Sequence, residues 1–264
     1  MTRTTSVAGS FYPNSNEEII RYIEHFSQGL EEQTVMLNPK AIIVPHAGYI
    51  YSGFTANLAY YFSQKISKKR CIVIGPSHRV YLEGASISLQ DVYETPLGDI
   101  SIAKEYAKQL KEQFDFLCFE PQYHCEHSTE TQAPFIKHYF DEVEIIEIVY
   151  GKLDENRLSK LIDYCLNDED NFMVISTDLS HFHELKTANF IDNICLEAIL
   201  HKDIKKFDEG CEACGIIGVK SVIEAAIKNH LDVEFLNYCT SYDRTKDDTR
   251  VVGYTSFLIG DKKE

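Results

Sequence analysis

Short runs of apolar, β-branched residues alternate along this chain with amphipathic segments of helix length. This alternation is typical of a mostly parallel central sheet with helices on both faces, and continuous Val/Ile content is typical of strands that are buried on both faces. The predicted strands are Lys40–Pro45, Arg70–Gly75, Val143–Val149, Phe172–Ser176, Asp232–Tyr238 and Arg250–Ile259. The predicted helices are Phe54–Gln64, Ala103–Phe114, Thr129–Phe140, Glu155–Leu166, Phe190–His201 and Ile216–Asn229. The sequence therefore predicts an α/β fold.

The segment Gly84–Ile102 does not follow this alternation. It contains Pro96 and Gly98, which favour a turn, and its flanking residues are predicted to form a β-hairpin. No internal repeat and no Pro/Gly/Ser-rich linker divides the sequence, so one domain over residues 1–264 is expected.

Charge and composition exclude several classes of partner. With 26 Lys and Arg against 41 Asp and Glu, the net charge is −15, which disfavours nucleic acids and anionic membranes. No apolar run reaches the roughly 20 residues of a membrane span, and the first residues lack the apolar core of a signal peptide. A cytoplasmic location is therefore expected.

Cysteine usage fits the same compartment. The eight cysteines form no compact framework, so in a reducing environment most of them are expected to be free and buried. Cys211 and Cys214 form a C-x-x-C without a partner pair. We therefore expect neither a structural zinc site nor a redox pair there.

Three predicted strands run directly into histidine-bearing segments. His46 follows IIVP, His78 follows CIVIGPS, and Asp178 and His181 follow MVIST. Ligands of open α/β sheets bind beyond the carboxyl ends of the strands, so these imidazoles are predicted to share one cleft. Neutral imidazole binds Zn, Fe, Cu or Ni. Asp178 could cap a following helix, orient an imidazole or accept a proton, and the sequence leaves these alternatives open.

Further candidate pocket residues lie near these strand ends. Glu126 and His127 precede a predicted helix, whose positive end favours a carboxylate or an anionic ligand. Tyr49 follows His46 and either lines the pocket or packs in the core. The sequence contains no G-x-S-x-G elbow, no phosphate-binding P-loop and no G-x-G-x-x-G. Serine hydrolase, nucleotidase and dinucleotide-dependent activities therefore have no support.

Seven short segments, in order along nearly the whole chain, resemble the Memo family, also called AmmeMemoRadiSam system protein B. They are Ala8–Pro13 (AGSFYP), Pro45–Tyr49 (PHAGY) with Ser52-Gly53, Gly75–His78 (GPSH), Glu126–Pro134 (EHSTETQAP), Ser176–His181 (STDLSH), Ala213–Gly215 (ACG) and Val252–Tyr254 (VGY).

This resemblance implies a class III extradiol dioxygenase-like fold, in which two histidines and a third residue hold a metal ion. It places His46 and His78 at the two histidine ligands and His181 at the acid/base histidine. The family's third ligand, a cysteine, falls near Arg244 in this chain, which leaves Cys239 and Asp243 as the nearby side chains that could replace it. Iron is the first expected metal, with copper or zinc as alternatives. The resemblance further implies a small-molecule or peptide ligand in the cleft and a radical-SAM system partner.

Three functions stay open on the sequence. The first is a metal-binding oxidoreductase-like protein that carries out redox or oxygen-related chemistry on a small substrate. The second is a module that binds a peptide or anion without turnover. The third is metal-dependent hydrolysis, in which the metal activates water and Asp178 and His181 move protons.

Overall fold

The computed structural model describes residues 1–140 and 142–263, so Asp141 and Glu264 of the predicted 1–264 domain lie outside it. The strands within these ranges are β1 Thr2–Arg3, β2 Leu37–Val44, β3 Arg70–Pro76, β4 Ala85–Ile87, β5 Val92–Tyr93, β6 Ile100–Ser101, β7 Leu117–Cys118, β8 Glu144–Tyr150, β9 Asn171–Ser176, β10 His181–His183, β11 Asp232–Thr240 and β12 Val251–Lys262. The α-helices are α1 Asn16–Ser27, α2 Tyr49–Ser63, α3 Lys104–Gln113, α4 His127–Glu130, α5 Ala133–Tyr139, α6 Glu155–Leu166, α7 Leu185–Leu200, α8 Ile216–Lys228 and α9 Tyr242–Thr245. Short 3₁₀ helices lie at Pro121–His124 and Lys206–Glu209.

A central sheet runs in the order β10-β12-β2-β9-β3-β8-β4-β7, and β11 pairs with the other part of β12. Strands β2, β9, β3 and β8 at its centre are parallel. The strands on both sides are antiparallel to this centre, because β12 pairs antiparallel with β2, and β4 with β8. The predicted α/β fold with a central sheet is confirmed, with the parallel pairing concentrated in these four strands.

Helices cover both faces of the sheet, as the continuous apolar strands require. Along β2, Ile42 and Val44 face a core that includes residues of α1, α2 and α5. Ala41 and Ile43 face the opposite core, which includes residues of α3, α6, α7 and α8. Alternate residues of one strand thus contribute to two separate cores, because successive strand side chains point to opposite faces.

Several elements differ from their predicted bounds. The predicted helix Thr129–Phe140 is two helices, α4 and α5, and Pro134 lies in the first turn of α5, where its missing N–H is tolerated. Helix α7 begins five residues before the predicted Phe190, and α1 was not predicted. In the predicted hairpin Gly84–Ile102, only β5 and β6 pair with each other, while β4 joins the central sheet beside β8.

One pair of cysteines departs from the expectation of free thiols. Cys195, buried in α7, forms a disulfide with Cys211, which follows the 3₁₀ helix Lys206–Glu209. The other six cysteines are free. The two cysteines of the C-x-x-C segment therefore differ. Cys211 is bonded to a residue of α7, whereas Cys214 keeps a free thiol.

Across residues 1–140 and 142–263, no helix combines the length and the apolar character needed to cross a membrane.

Candidate functional site

The candidate site lies at the carboxyl ends of β2, β3 and β9. His46 comes two residues after β2, His78 comes two residues after β3, and Ser176 is the last residue of β9. Because β2 and β3 both pair in parallel with β9, these three ends meet at one edge of the sheet. The topology therefore brings the strand-end segments together, as open α/β sheets commonly do.

Three imidazoles meet at this edge. The ring centroids of His46 and His78 are 5.2 Å apart, those of His46 and His127 are 5.4 Å apart, and those of His78 and His127 are 4.7 Å apart. His127 is the first residue of α4. We call His46, His78 and His127 the histidine cluster.

The hydrogen bonds around Ser176 fix the tautomer of His46. The Ser176 hydroxyl donates its one hydrogen to the carbonyl of Ser128, at 2.5 Å. It must therefore accept from Nδ1–H of His46, 2.9 Å away. This leaves Nε2 of His46 with a free lone pair, which is the state in which imidazole binds a metal ion.

His46 is buried, with 2% of its surface exposed. Burial, followed by the charges of His78 and His127, lowers the pKa of His46 well below its ordinary value. The ring is therefore neutral near pH 7, in agreement with the tautomer that its hydrogen bonds define.

Glu126 holds the other two imidazoles of the cluster. Its Oε2 accepts the backbone N–H groups of His78 (2.7 Å) and Arg79 (3.1 Å), and its Oε1 accepts those of His127 (2.8 Å) and Ser128 (3.4 Å). The imidazole Nδ1 atoms of His127 and His78 lie 2.7 and 3.5 Å from Oε1. Burial alone would raise the pKa of Glu126, but the hydrogen bonds from His127 and His78 lower it well below its ordinary value. Glu126 is thus an ionised carboxylate that caps α4 and orients two rings.

Asp178 and Cys214 complete the surroundings of His46. Oδ1 of Asp178 accepts the backbone N–H of His46 at 2.8 Å, and its Oδ2 lies 4.0 Å from Nε2. Sγ of Cys214 lies 3.4 Å from the same Nε2. Burial raises the pKa of Asp178, and burial followed by the charge of Asp178 raises the pKa of Cys214 to about 12. Asp178 thus faces the cleft, and β10 rather than a helix follows it.

Among the described residues 1–140 and 142–263, two groups of side chains have ligand atoms close enough to hold one metal ion. They are His46, His78 and Cys214, and His78, Glu126 and His127, with the atoms of each group within 4.8 Å of one another. Two imidazoles and a thiol suit a transition metal, so the residues present fit the metal that the sequence predicted.

His181 reaches the same edge on a different strand. It is half-buried on β10 and interacts electrostatically with both His46 and Asp178, whose pKa values are shifted mainly by burial. The segment before it is fixed by Gly253, whose N–H bonds the carbonyl of Ser180, and by Asp192, which accepts the N–H of Ser180. A Cβ at Gly253 would lie 2.0 Å from Asp192, so only glycine fits there. His181 belongs to neither group of candidate ligands in the described part of the chain.

The remaining predicted site residues lie apart from both groups. Sγ of Cys239 is 3.1 Å from the Thr55 hydroxyl, and the carboxylate of exposed Asp243 accepts the backbone N–H of Thr240 at 2.8 Å. Arg244 is exposed and lines a surface cavity of about 450 Å³. Neither Cys239 nor Asp243 enters a group of candidate ligands within the described residues.

Tyr49 lies in the core and also reaches a groove. Its hydroxyl donates to the carbonyl of Thr131 at 2.8 Å, and its ring stacks on Phe135. It also lines a groove of about 610 Å³ together with Phe11 and Tyr12. Since the ring of Phe11 lies 4.8 Å from that of His127, this groove adjoins the histidine cluster.

Cys214 is the residue of the site that the sequence reasoning missed as a ligand. The C-x-x-C spacing suggests a zinc-binding or redox pair of cysteines. That pair does not form, because Cys211 is bonded to Cys195. The available signal was the ACG segment at the start of a predicted helix, where the chain approaches the sheet edge.

A buried charge network lies behind Glu126. The Arg3 guanidinium, 2% exposed, pairs with Glu130 and lies 3.4 Å from Glu147, and it also donates to the backbone carbonyl of Glu126 at 3.2 Å. Glu130 also accepts the backbone N–H of Val7 at 2.8 Å. Arg3 therefore links the first strand to the segment that carries His127.

Glu147 of this network is expected to make stability depend on pH. Burial alone would raise its pKa, but Arg3 and His124, whose Nδ1 lies 2.7 Å from the carboxylate, hold the pKa at about 2. Because an unfolded glutamate titrates near about 4.3, the ionised form contributes stability above that pH, and this contribution is lost as pH falls through about 2. We expect the difference in unfolding free energy between wild type and Glu147→Gln to be roughly 3 kcal/mol or less near pH 7 and to shrink towards pH 2.

Urea unfolding at several pH values measures this difference. Glu144→Gln is the matched control, because Glu144 is an exposed residue of the same strand. A difference for Glu147→Gln that does not change between pH 7 and pH 3 would contradict the assignment.

Fold and site together define an α/β protein with a group of side chains able to hold a metal ion. A family model described as "Memo-like protein" matches residues 3–258. The chain belongs to the Memo family, as its short motifs indicated.

Proteins named as members of this family are similar over almost their whole length. "MEMO1 family protein Ta0237" of Thermoplasma acidophilum is 32% identical over 266 residues, which cover 98% of each chain. "MEMO1 family protein TV1383" of Thermoplasma volcanium is 30% identical over the same shares. A "MEMO1 family protein" of Methanobrevibacter smithii is 32% identical, over 98% of this chain and 100% of its own.

Proposed function

We propose that this protein binds one transition metal ion through His46 and His78 and carries out redox or oxygen-related chemistry on a small substrate at that site. The observation that carries the proposal is that Nε2 of His46 carries no hydrogen. This nitrogen lies on the side of the ring near the imidazole of His78. The Nδ1 atoms of His46 and His78 face Ser176 and Glu126, respectively. Ligand histidines in metal sites are commonly oriented in this way.

The metal, when bound, would supply open coordination positions for oxygen or substrate. The chain's own residues supply proton transfer and orientation. Asp178 is buried beside Nε2 of His46, and burial favours its protonated form, which can donate a proton. His181 interacts electrostatically with Asp178, and in this proposal the two residues would act together as the acid and base at the edge of the site.

A small-molecule or peptide ligand would reach this site along the groove beside Phe11. The groove also supports a second candidate, a module that binds a peptide or anion without turnover, because its volume of about 610 Å³ suits such a ligand. A cytoplasmic location belongs to this proposal on the sequence composition, and a radical-SAM system partner belongs to it on the family resemblance.

The metal content of untagged, freshly purified protein tests the proposal. We expect close to one equivalent of metal, with iron first and copper or zinc as alternatives, determined by elemental analysis. Stoichiometric iron would support redox chemistry, and zinc would support metal-dependent hydrolysis. Protein that stays empty after anaerobic incubation with Fe(II), Cu(I) and Zn(II) would contradict the proposal and favour the binding module.

A further inference from the structure

We propose that Cys214 supplies the third protein ligand of this metal site, as a thiolate donated from the start of α8. The inference rests on the proposed function and names a residue that the family's third position does not indicate. Its starting point is the contact between Sγ of Cys214 and Nε2 of His46, at 3.4 Å.

The proton between these two atoms belongs to the thiol. Nε2 of His46 carries no hydrogen, because Nδ1 donates to Ser176, whose only hydrogen goes to Ser128. The thiol can therefore donate its hydrogen to Nε2, or to the carbonyl of Asp178, which lies 3.6 Å from Sγ. A metal ion that replaces this hydrogen would bond to Sγ and Nε2 together, and the thiol proton would leave to solvent.

The spacing of the two atoms suits a shared metal. Bond lengths of about 2.3 Å to sulfur and about 2.0 Å to nitrogen in a tetrahedral site place the two ligand atoms about 3.5 Å apart. The 3.4 Å separation in this structure matches that value. The ligand atom of His78 lies within 4.8 Å of both, and His78 is 31% exposed at its side chain, so a rotation of that ring can close the site.

The backbone holds Cys214 in this position. Its N–H donates to the carbonyl of Asp178 at 3.1 Å, and the N–H of Gly215 donates to the Thr177 hydroxyl at 2.9 Å. A Cβ on Gly215 would lie 2.7 Å from the Cβ of Thr177 and 2.8 Å from the carbonyl oxygen of Ser176. The start of α8 thus approaches the end of β9 as closely as a residue without a side chain permits.

Three other candidates for a third ligand are already engaged, and a fourth position carries a positive charge. The carboxylate of Glu126 accepts four backbone N–H groups and faces two imidazoles, so it orients ligands and has no free lone pair directed at a metal. Cys239 bonds Thr55, and Asp243 bonds the backbone of its own turn. Arg244, at the family's third position, is exposed and carries a positive charge. Within residues 1–140 and 142–263, Cys214 is the side chain that forms a group of candidate ligands with both His46 and His78.

A thiolate ligand also determines which metals the site selects. Soft sulfur ligands favour zinc, copper and iron over magnesium, calcium and manganese. The site should therefore retain Co(II), Zn(II) or Fe(II) in a large excess of Mg(II).

Anaerobic titration with Co(II) tests the assignment, because a cobalt–thiolate bond gives a charge-transfer absorption band in the near ultraviolet. Wild type should bind one equivalent with this band. Cys214→Ser should lose the band and bind Co(II) about 100-fold more weakly or worse, since even second-layer partners of metal ligands cost about 10–100-fold. Cys239→Ser tests the alternative thiol, and Cys118→Ser, on the distant strand β7, is the matched control. Both should behave like wild type.

X-ray absorption of the wild-type zinc protein keeps the test independent of how the variants fold. It should show one sulfur neighbour at about 2.3 Å. Stoichiometric metal without a sulfur neighbour, or a band that survives in Cys214→Ser, would overturn the assignment of Cys214 while leaving the proposed metal site in place. A wild-type protein that binds no Co(II), Zn(II) or Fe(II) would overturn both.

Discussion

Replacing Arg3 with alanine is expected to lower the free energy of unfolding by about 3–5 kcal/mol, the range typical of removing one partner from a buried ion pair. Arg3 is buried between the carboxylates of Glu130 and Glu147, and both carboxylates are fully buried. Without the guanidinium, the two negative charges would remain in the interior with little compensation. Their desolvation, more than any lost contact, accounts for the size of the effect.

Urea unfolding at pH 7 measures this loss, with Arg21→Ala as the control. Arg21 is exposed on α1, and its guanidinium bonds only the backbone carbonyl of Glu17. Its replacement should change stability by no more than about 0.5 kcal/mol. Equal, small changes for both variants would show that Glu130 and Glu147 are not held as ions by Arg3.

Removing either strand-end histidine is expected to abolish stoichiometric metal binding. His46→Ala and His78→Ala each delete one imidazole of the proposed site, and we expect at least about a 100-fold loss of affinity for Zn(II). His201→Ala is the control, because His201 is exposed at the end of α7 and its imidazole pairs with Glu197. Isothermal titration with Zn(II) measures the affinities, and unchanged binding in both variants would refute the assignment.

His46 is buried, so its alanine variant also removes a packed ring and is expected to lose stability. His46→Asn separates the two effects. An asparagine amide nitrogen can take the place of Nδ1 and keep the bond to Ser176, but it offers no lone pair in the place of Nε2. We expect this variant to fold like wild type and still fail to hold the metal, and circular dichroism together with the same titration checks both.

The part of the site that the sequence predicts is the part that strand order determines. His46 and His78 follow apolar strands. Because parallel strands of one sheet end at the same edge, the sequence pattern alone predicts that these two residues lie close together. The approach of Cys214 depends instead on how closely α8 begins against β9, which only the packing around Gly215 decides. The ACG segment marks the position of Cys214 in the sequence, but it does not predict the distance between Sγ and the imidazole of His46.

The directions of individual side chains could not be predicted from the sequence either. Asp243 and Cys239 lie in the region where the family's third ligand is expected, yet Asp243 turns back to its own backbone and Cys239 faces Thr55. His127 is a predicted pocket residue, but its place in the cluster depends on Glu126, which accepts its backbone N–H and lies 2.7 Å from its Nδ1. These side-chain directions are determined by local contacts in the folded protein.

The position of β2 in the sheet has a consequence for synthesis of the chain. Ile42 and Ile43 are fully buried, yet β2 hydrogen-bonds only with β9 and β12, which are translated more than 120 residues later. A nascent chain must therefore keep an apolar strand unpaired while half of the protein is still being made. Sequence-distant pairing of this kind slows folding and leaves strand edges open to aggregation. Ribosome-bound chains that end before β9 should consequently depend on chaperones to stay soluble.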